Sequence, residues 1–403
     1  MKPRLAFDLP FAASLVARLP AAWRAAAAAL VALAACLFAG AAPAGTAAVP
    51  DGTHGHGVTL EPVAQFDHQV TGVTVSEHGR IFVNFPRWTE DTPVSVAEVL
   101  RDGSLRPYPD ARWNAWRNVR ADELDPGAYW VCVQSVVADG RGSVWVVDPA
   151  APAVDGLVPG GPKLVRIDLA TDQVAQVIRF DQTVAIPGAY LNDVRFDPDG
   201  RHAYMTDSGQ RGALVVVDLS TGAARRVLDG DPSTQPEPGV VVRTDGRALR
   251  YPDGRKVKFA ADSIALAPDG WLYWKPLTGN TLYRIPAAIL ATRGLAGQDV
   301  APWVQTYGRT GPSDGFWIGR NGRTLFVTSI ELDAVTARDL AQGPGGGLRV
   351  VVRDPRLRWP DTFSQGPDGS LYVTTSRIQD SAFFNRDAPL ALPTQLWRLR
   401  RRD

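Results

Sequence analysis

Six polar pairs recur along the chain: Thr71-Gly72, Gln134-Ser135, Asn192-Asp193, Asp262-Ser263, Ser313-Asp314 and Asp361-Thr362. Each stands just ahead of a short β-prone run. Singly, each reads as a turn that caps local backbone; repeated at one structural position, they read as parts of one site. Asp193, Asp262, Asp314 and Asp361 are the candidate catalytic groups, because carboxylates held close raise one another's pKa toward neutrality, where a general base works best. Gln134 and Asn192 add amides that orient a ligand. Lys275 and Glu331 follow middle strands and are further candidates for the same ligand-binding face. Two carboxylates about 8 Å apart repel by roughly 2 kcal/mol at an effective dielectric near 20, so the group needs water, raised pKa values or a counter-charge. A cationic amine would serve, as would a divalent ion. Calcium takes oxygen ligands without strict geometry, and Asn192, Asp262 and Asp314 are its candidate ligands. No His or Cys occupies these positions, which speaks against zinc.

The elements that must gather these residues are legible between Leu191 and Leu228. Val194–Phe196 leads into the turn Asp197-Pro198-Asp199-Gly200, and Ala203–Thr206 runs out to a polar loop. Leu214–Leu219 follows, Thr221-Gly222 turns, and Arg225–Leu228 closes the unit. These runs are too short for helices and rich in strand formers, so the unit is a four-stranded antiparallel meander. Its signature, a turn ending in Gly and then an aromatic, recurs as Gly79/Phe82, Gly140/Trp145, Gly200/Tyr204, Gly270/Tyr273, Gly322/Phe326 and Gly369/Tyr372. Six such units predict an all-β, six-bladed β-propeller over residues 58–403, with the aromatics filling the spaces between blades. The C-terminal run Gln395–Arg400 is expected to pair with Val58–Phe66 and close the ring, which removes exposed edges. A short helix is expected at Pro286–Thr292, with Pro in its first turn. Because the inner strand of each blade lines the central channel, the six polar pairs converge on one mouth.

The chain has 403 residues and a net charge of +1, so no basic field points to nucleic acid. Residues 1–44 read as a secretory signal: Lys2, Arg4, Arg18 and Arg24 precede the apolar run Ala25–Ala39, and Ala42-Pro43-Ala44 offers a cleavage site. Leu33-Ala34-Ala35-Cys36 also fits a lipobox, which would leave a lipid anchor on Cys36; the mass of the mature N-terminus distinguishes the two. Either way the mature protein is expected to be secreted or periplasmic, without a membrane span. Residues 45–57 form a Gly-rich tail whose His54 and His56 read as solvated. Removing residues 1–44 leaves Cys132 as the sole cysteine, in an apolar run and expected to be buried and inert. The chain has no Gly-rich phosphate loop and no Gly-x-Ser-x-Gly elbow. Arg87-Trp88 and Arg358-Trp359 could stack or meet anions.

Several segments together carry a family resemblance. They are Phe82–Trp88 (FVNFPRW), Leu105–Pro109 (LRPYP) with Trp113-Asn114, Val133–Val137 (VQSVV) and Lys163–Leu169 (KLVRIDL). Tyr190–Asp193 (YLND), Asp262–Leu266 (DSIAL), Pro312–Gly315 (PSDG) and Arg356–Phe363 (RLRWPDTF) complete the set. In this order they resemble the major royal jelly protein/yellow family, in particular its bacterial members described as dopachrome-tautomerase-related. The resemblance implies a six-bladed propeller. It also implies either conversion of a dopachrome-like compound or binding of biogenic amines in the central channel. Lys275 stands where the family commonly has a smaller residue before Pro-Leu, and a cation pointing inward there would disfavour amines.

The leading expectation is therefore a propeller that binds, and isomerises, a small aromatic or amine-bearing metabolite at the channel mouth. One alternative is a calcium-dependent lactonase of the gluconolactonase type, although the first blade offers Thr71-Gly72 where those enzymes place a Glu. The other is a non-catalytic propeller that binds proteins through its loops.

Overall fold

The computed structural model describes residues 57–401 apart from 89, 155, 296, 298 and 385–391. The expected signal, Cys36 and the His54/His56 tail lie outside the described residues. Six four-stranded antiparallel sheets make the six blades. Blade 1 runs β2 (Val73–Val75), β3 (Ile81–Asn84), β4 (Val96–Val99), β5 (Leu105–Pro107), and blade 2 runs β6 (Ser135–Ala138), β7 (Ser143–Asp148), β8 (Lys163–Asp168), β9 (Gln173–Arg179). Blade 3 is β10 (Leu191–Phe196), β11 (His202–Asp207), β12 (Ala213–Asp218), β13 (Ala224–Val227). A small hairpin, β14 (Arg243–Thr244) and β15 (Arg247–Ala248), precedes blade 4: β16 (Ala261–Leu266), β17 (Trp271–Pro276), β18 (Thr281–Pro286), β19 (Gln305–Arg309). Blade 5 is β20 (Phe316–Ile318), β21 (Thr324–Ser329), β22 (Ala334–Asp339), β23 (Leu348–Arg353). Blade 6 joins β24 (Pro360–Gln365), β25 (Leu371–Thr375) and β26 (Thr394–Arg401) to β1 (Val58–Phe66), so the first and last described strands share a blade as expected. The inner strands β2, β6, β10, β16, β20 and β24 neighbour one another in a closed ring. The expected short helix is present at Ala287–Ala291.

The repeated turn works as its chemistry demands. In blade 3 the Gly200 N–H bonds the Asp197 carbonyl at 3.0 Å, and Gly200 takes φ +70°, a conformation glycine adopts without strain. The aromatic that follows each turn packs against the next blade around the ring. Tyr204 joins Ile264 and Trp274 of blade 4, Trp145 joins Leu191 and Val194 of blade 3, and Tyr372 joins Val73 and Val83 of blade 1. Phe326 does the same toward blade 6 but is only half-buried. Cys132 is free and fully buried, and burial pushes its thiol pKa up. Among the described residues, no helix is long and apolar enough to cross a membrane.

Candidate functional site

The polar pairs of blades 3, 4 and 6 lie inside their inner strands, not ahead of them as expected. Leu191 opposes Asp207 but Val194 opposes Met205, and the same slip separates Ala261 from Ile264 and Pro360 from Phe363. One extra inner-strand residue per blade makes a β-bulge, a device that bends a strand and re-aims its side chains. A threonine on the second strand secures the bulges of blades 3 and 6, and the matching threonine of blade 5 holds the backbone just ahead of its inner strand. Thr206 Oγ1 accepts the Asp193 N–H at 3.3 Å, Thr374 Oγ1 accepts the Thr362 N–H at 3.1 Å, and Thr328 Oγ1 accepts the Gly315 N–H at 2.8 Å. Thr206 and Thr374 then donate onward to carbonyls of the next blade, Asp262 O at 2.8 Å and Thr71 O at 2.5 Å. In blade 4 the matching strand position holds Lys275. At Gly315 a Cβ would lie 2.1 Å from the Asp361 carbonyl oxygen, so only glycine lets blades 5 and 6 close up here.

Above this ring is a cavity of about 1420 Å³. Asn192 and Asp262 reach it from their inner strands and Gln134 and Asp314 from just ahead of theirs, and Trp88, Tyr190, Trp359 and Phe383 supply aromatic wall. The walls hold the polar groups in place. The Trp88 indole N–H donates to the Tyr190 hydroxyl at 2.6 Å, which donates to Gln134 Oε1 at 2.8 Å. The Trp359 indole N–H donates to Asp314 Oδ2 at 2.7 Å. Trp359 achieves this with φ +49°, a left-handed conformation that costs a bulky residue on the order of 1–3 kcal/mol.

The carboxyl groups of Asp262 and Asp314 contact each other by a hydrogen bond. Burial, with the charge of Asp314 second, pushes the Asp262 pKa well above the usual carboxylate range. Burial also lifts Asp314, to about 6, against the pull of the Trp359 and Asp262 hydrogen bonds. A contacting pair at this depth shares protons, one member holding its proton at a pH where the other has lost most of its own. Asp361 is likewise raised, by burial first and then by Asp314; its Oδ1 accepts from the Thr362 hydroxyl at 3.0 Å, and its Oδ2 has no partner. Lys275 is fully buried beside them, and burial pulls its pKa down to about 7 despite the attraction of Asp262 and Asp314.

Residues 131–387, more than half of the chain, match the model of the family described as major royal jelly protein. The chain belongs to that family. No curated protein matches it. Among solved structures it is similar to a gluconolactonase from Xanthomonas campestris, with 13% identity, 86% of this chain and 90% of that one covered, and a TM-score of 0.51. It is also similar to a luciferin-regenerating enzyme, with 11% identity, 85% and 95% covered, and a TM-score of 0.50. At such identities the likeness shows the fold alone. The family match spans every cavity residue from Gln134 to Phe384 and leaves blade 1 and Trp88 outside.

Within this royal jelly protein propeller, the residues expected at the site divide into three groups. Gln134, Asn192, Asp262 and Asp314 share the cavity. Asp193, Asp361 and Lys275 lie close by but do not line it. The Asp193 carboxylate turns to Arg195 at 2.8 Å and accepts from Ser135 Oγ at 2.8 Å, so its charge is already compensated. Lys275 is not a rim cation: its ammonium donates to the Pro276 carbonyl at 2.6 Å beneath the carboxyl pair. Glu331 is the outlier. It is exposed, and its carboxylate accepts the Arg243 N–H at 2.7 Å, anchoring the β14–β15 hairpin.

Of the two Arg-Trp pairs, the tryptophans face the cavity and the arginines do not. Arg87 is buried on the carbonyls of Trp130, Val131 and Thr92, and Arg358 pairs with Asp245 and Asp380. The aromatic wall went unanticipated as a wall, although Tyr190 precedes Asn192 by two residues and Trp359 precedes Asp361 by two.

The calcium expectation meets an unfavourable donor set. Thr71 spends its hydroxyl on the Gln134 carbonyl at 3.2 Å, Trp359 takes one oxygen of Asp314, and Asp262 and Asp314 engage each other. Among the described residues, no group of three or more His, Cys, Asp or Glu side chains is placed to hold a metal ion. The buried cation of Lys275 instead supplies the counter-charge within the chain.

Proposed function

We propose that this propeller binds a small aromatic, amine-bearing metabolite in the cavity at the channel mouth, and that Asp262 and Asp314 move a proton on it. The observation that carries the reading is a contacting carboxyl pair, Asp314 lifted to about 6 and Asp262 raised well above the usual carboxylate range, at the base of an aromatic cavity. An isomerisation needs a base and an acid in reach of one substrate. Asp314, mostly ionised at pH 7, would take a proton from a ligand carbon. Asp262 would deliver its own proton to the ligand oxygen that gains electron density. One C–H bond breaks, one O–H bond forms, and no oxidant is required. The Trp359 N–H steadies the Asp314 carboxylate throughout, and Tyr190 fixes Gln134 to orient the ligand. The dopachrome conversion and amine binding linked to eukaryotic members of the family support this class of ligand. Residues 1–44 suggest that the chemistry takes place outside the cytoplasm.

Calorimetry with dopamine and tyramine, and dopachrome tautomerisation followed by absorbance, test the reading. Binding is expected in the wild type, with Asp314→Asn lowering the tautomerisation rate by about 10²–10⁴-fold, the range for losing a general base. The rate should also fall as pH drops through about 6, where Asp314 takes up its proton. An absence of binding by all three compounds sinks the proposal. Lactone hydrolysis abolished by chelation and restored by calcium would replace it with the lactonase reading.

A further inference from the structure

The charges around the cavity are unevenly balanced from base to mouth. Besides Asp262 and Asp314, the charged residues that line it among those described are Glu237, Arg255, Lys256 and Lys258. Glu237 is already engaged: its Oε2 accepts the Asn280 and Thr281 N–H groups at 2.7 and 3.0 Å. Arg255 pairs with Asp253 at 2.6 Å. Lys256 and Lys258 are exposed, and no described carboxylate lies within ion-pairing distance of either. Both sit on the segment between blades 3 and 4, beside Tyr251, whose ring meets that of Phe384 at 5.2 Å. Lys258 precedes Asp262 by four residues, so at most about 14 Å of extended chain separates them. That bound puts both positions within reach of one small ligand, a ring carrying a substituent at each end.

We infer that the ligand is bipolar: an aromatic ring with an amine or hydroxyl at its inner end, against Asp262 and Asp314, and a carboxylate at its outer end, between Lys256 and Lys258. This rests on the proposed site above, whose inner contacts it keeps. A ligand bearing only an amine must pass two ammonium groups that no described carboxylate pairs, and an anionic outer end converts that repulsion into attraction. The rim lysines thus select among aromatic amines by what lies opposite the amine.

The test compares 4-(aminomethyl)phenylacetate with 4-methylbenzylamine, the same ring and amine without the carboxylate, by calorimetry on the full-length protein at low salt. The bipolar compound should bind about five- to tenfold tighter, and the advantage should shrink as salt screens the exposed rim. In a Lys256→Ala/Lys258→Ala variant the bipolar compound should weaken and the simple amine tighten, so that the two affinities converge. Both lysines are exposed, and an unchanged melting temperature would confirm that the variant is folded. Equal affinities in the wild type, or an advantage that survives the double substitution, overturns the inference while leaving the site reading intact. Failure of both compounds to bind overturns the site reading and this inference with it.

Discussion

In blades 2 and 3 the second strand ends in an aspartate, whereas in blade 4 the same strand ends in Lys275-Pro276. Asp148 accepts the Val131, Cys132 and Ala150 N–H groups at 2.8, 3.0 and 2.9 Å, and the Lys163 ammonium at 2.8 Å. Asp207 does the equivalent with the Tyr190 and Gly209 N–H groups at 2.7 and 2.9 Å and with Arg226 at 2.6 Å. These carboxylates tie the loop entering the inner strand to the strand beside it. Lys163 is fully buried yet well partnered, since the Pro126 and Gly161 carbonyls join Asp148 around its ammonium. Lys275 is equally buried but, among the described residues, has only the Pro276 and Leu277 carbonyls, the latter at 3.4 Å, and no carboxylate in ion-pairing distance. A buried charge with its full set of partners positions backbone. One left short, near an Asp361 oxygen that itself has no partner, is the arrangement that the proposed ligand would complete.

The largest effect expected from this contrast is on the structural side. Asp148→Ala should destabilise the protein by about 3–5 kcal/mol in urea denaturation at pH 7, because it strands a buried ammonium and three backbone donors. A loss below about 1 kcal/mol would erase the distinction between the two strand ends.

The next effect separates them by pH. Asp314 titrates at about 6 in the folded chain, against an ordinary value of 3.8. Between those values the native state holds a proton that the unfolded chain has released, so stability falls as pH rises from 4 to 6, by roughly 2–3 kcal/mol at 1.36 kcal/mol per unit. Other carboxylates with lowered pKa values, such as Glu98, act in the opposite direction. The quantity to measure is therefore the stability of wild type minus that of Asp314→Asn, which should fall by roughly 2–3 kcal/mol as pH rises from 4 to 6. A pH-independent difference would show that Asp314 titrates normally.

The fold was readable because the signal repeats: six Gly-to-aromatic spacings fix six blades even though each alone is a generic turn. The convergence of Gln134, Asn192, Asp262 and Asp314 was readable for the same reason, since one repeat position maps to one ring. What repetition cannot show is side-chain direction. Asp193 and Asn192 are adjacent in one bulge, yet one meets Arg195 and the other the cavity. Lys275 proves to lie within β17, whereas Glu331 comes two residues after β21 and is claimed by a hairpin inserted between blades 3 and 4. Phe383 and Phe384 lie in a loop with no counterpart in the repeat, so nothing in the spacing could place them.

The smallest effect is the sharpest test of the contrast. Lys275→Met keeps the aliphatic stem, removes the charge, and leaves the Pro276 carbonyl without its donor. Losing that hydrogen bond costs about 0.5–1.5 kcal/mol, and relief of an ammonium that burial has already pulled down to about 7 acts in the other direction. The two should nearly cancel, leaving stability at pH 7 within about 1 kcal/mol of wild type, in contrast to Asp148→Ala. The site should respond where the fold does not. Lys275 is the cation that opposes the rise of the Asp262 and Asp314 pKa values, so its loss should move the Asp314 titration upward. It should also deepen the thermal shift given by dopamine, because the ligand amine would then be the only cation facing the pair. If Lys275→Met instead costs as much as Asp148→Ala and leaves the dopamine response unchanged, Lys275 is a structural residue like Lys163, and the carboxyl pair loses its claim to a reserved charge.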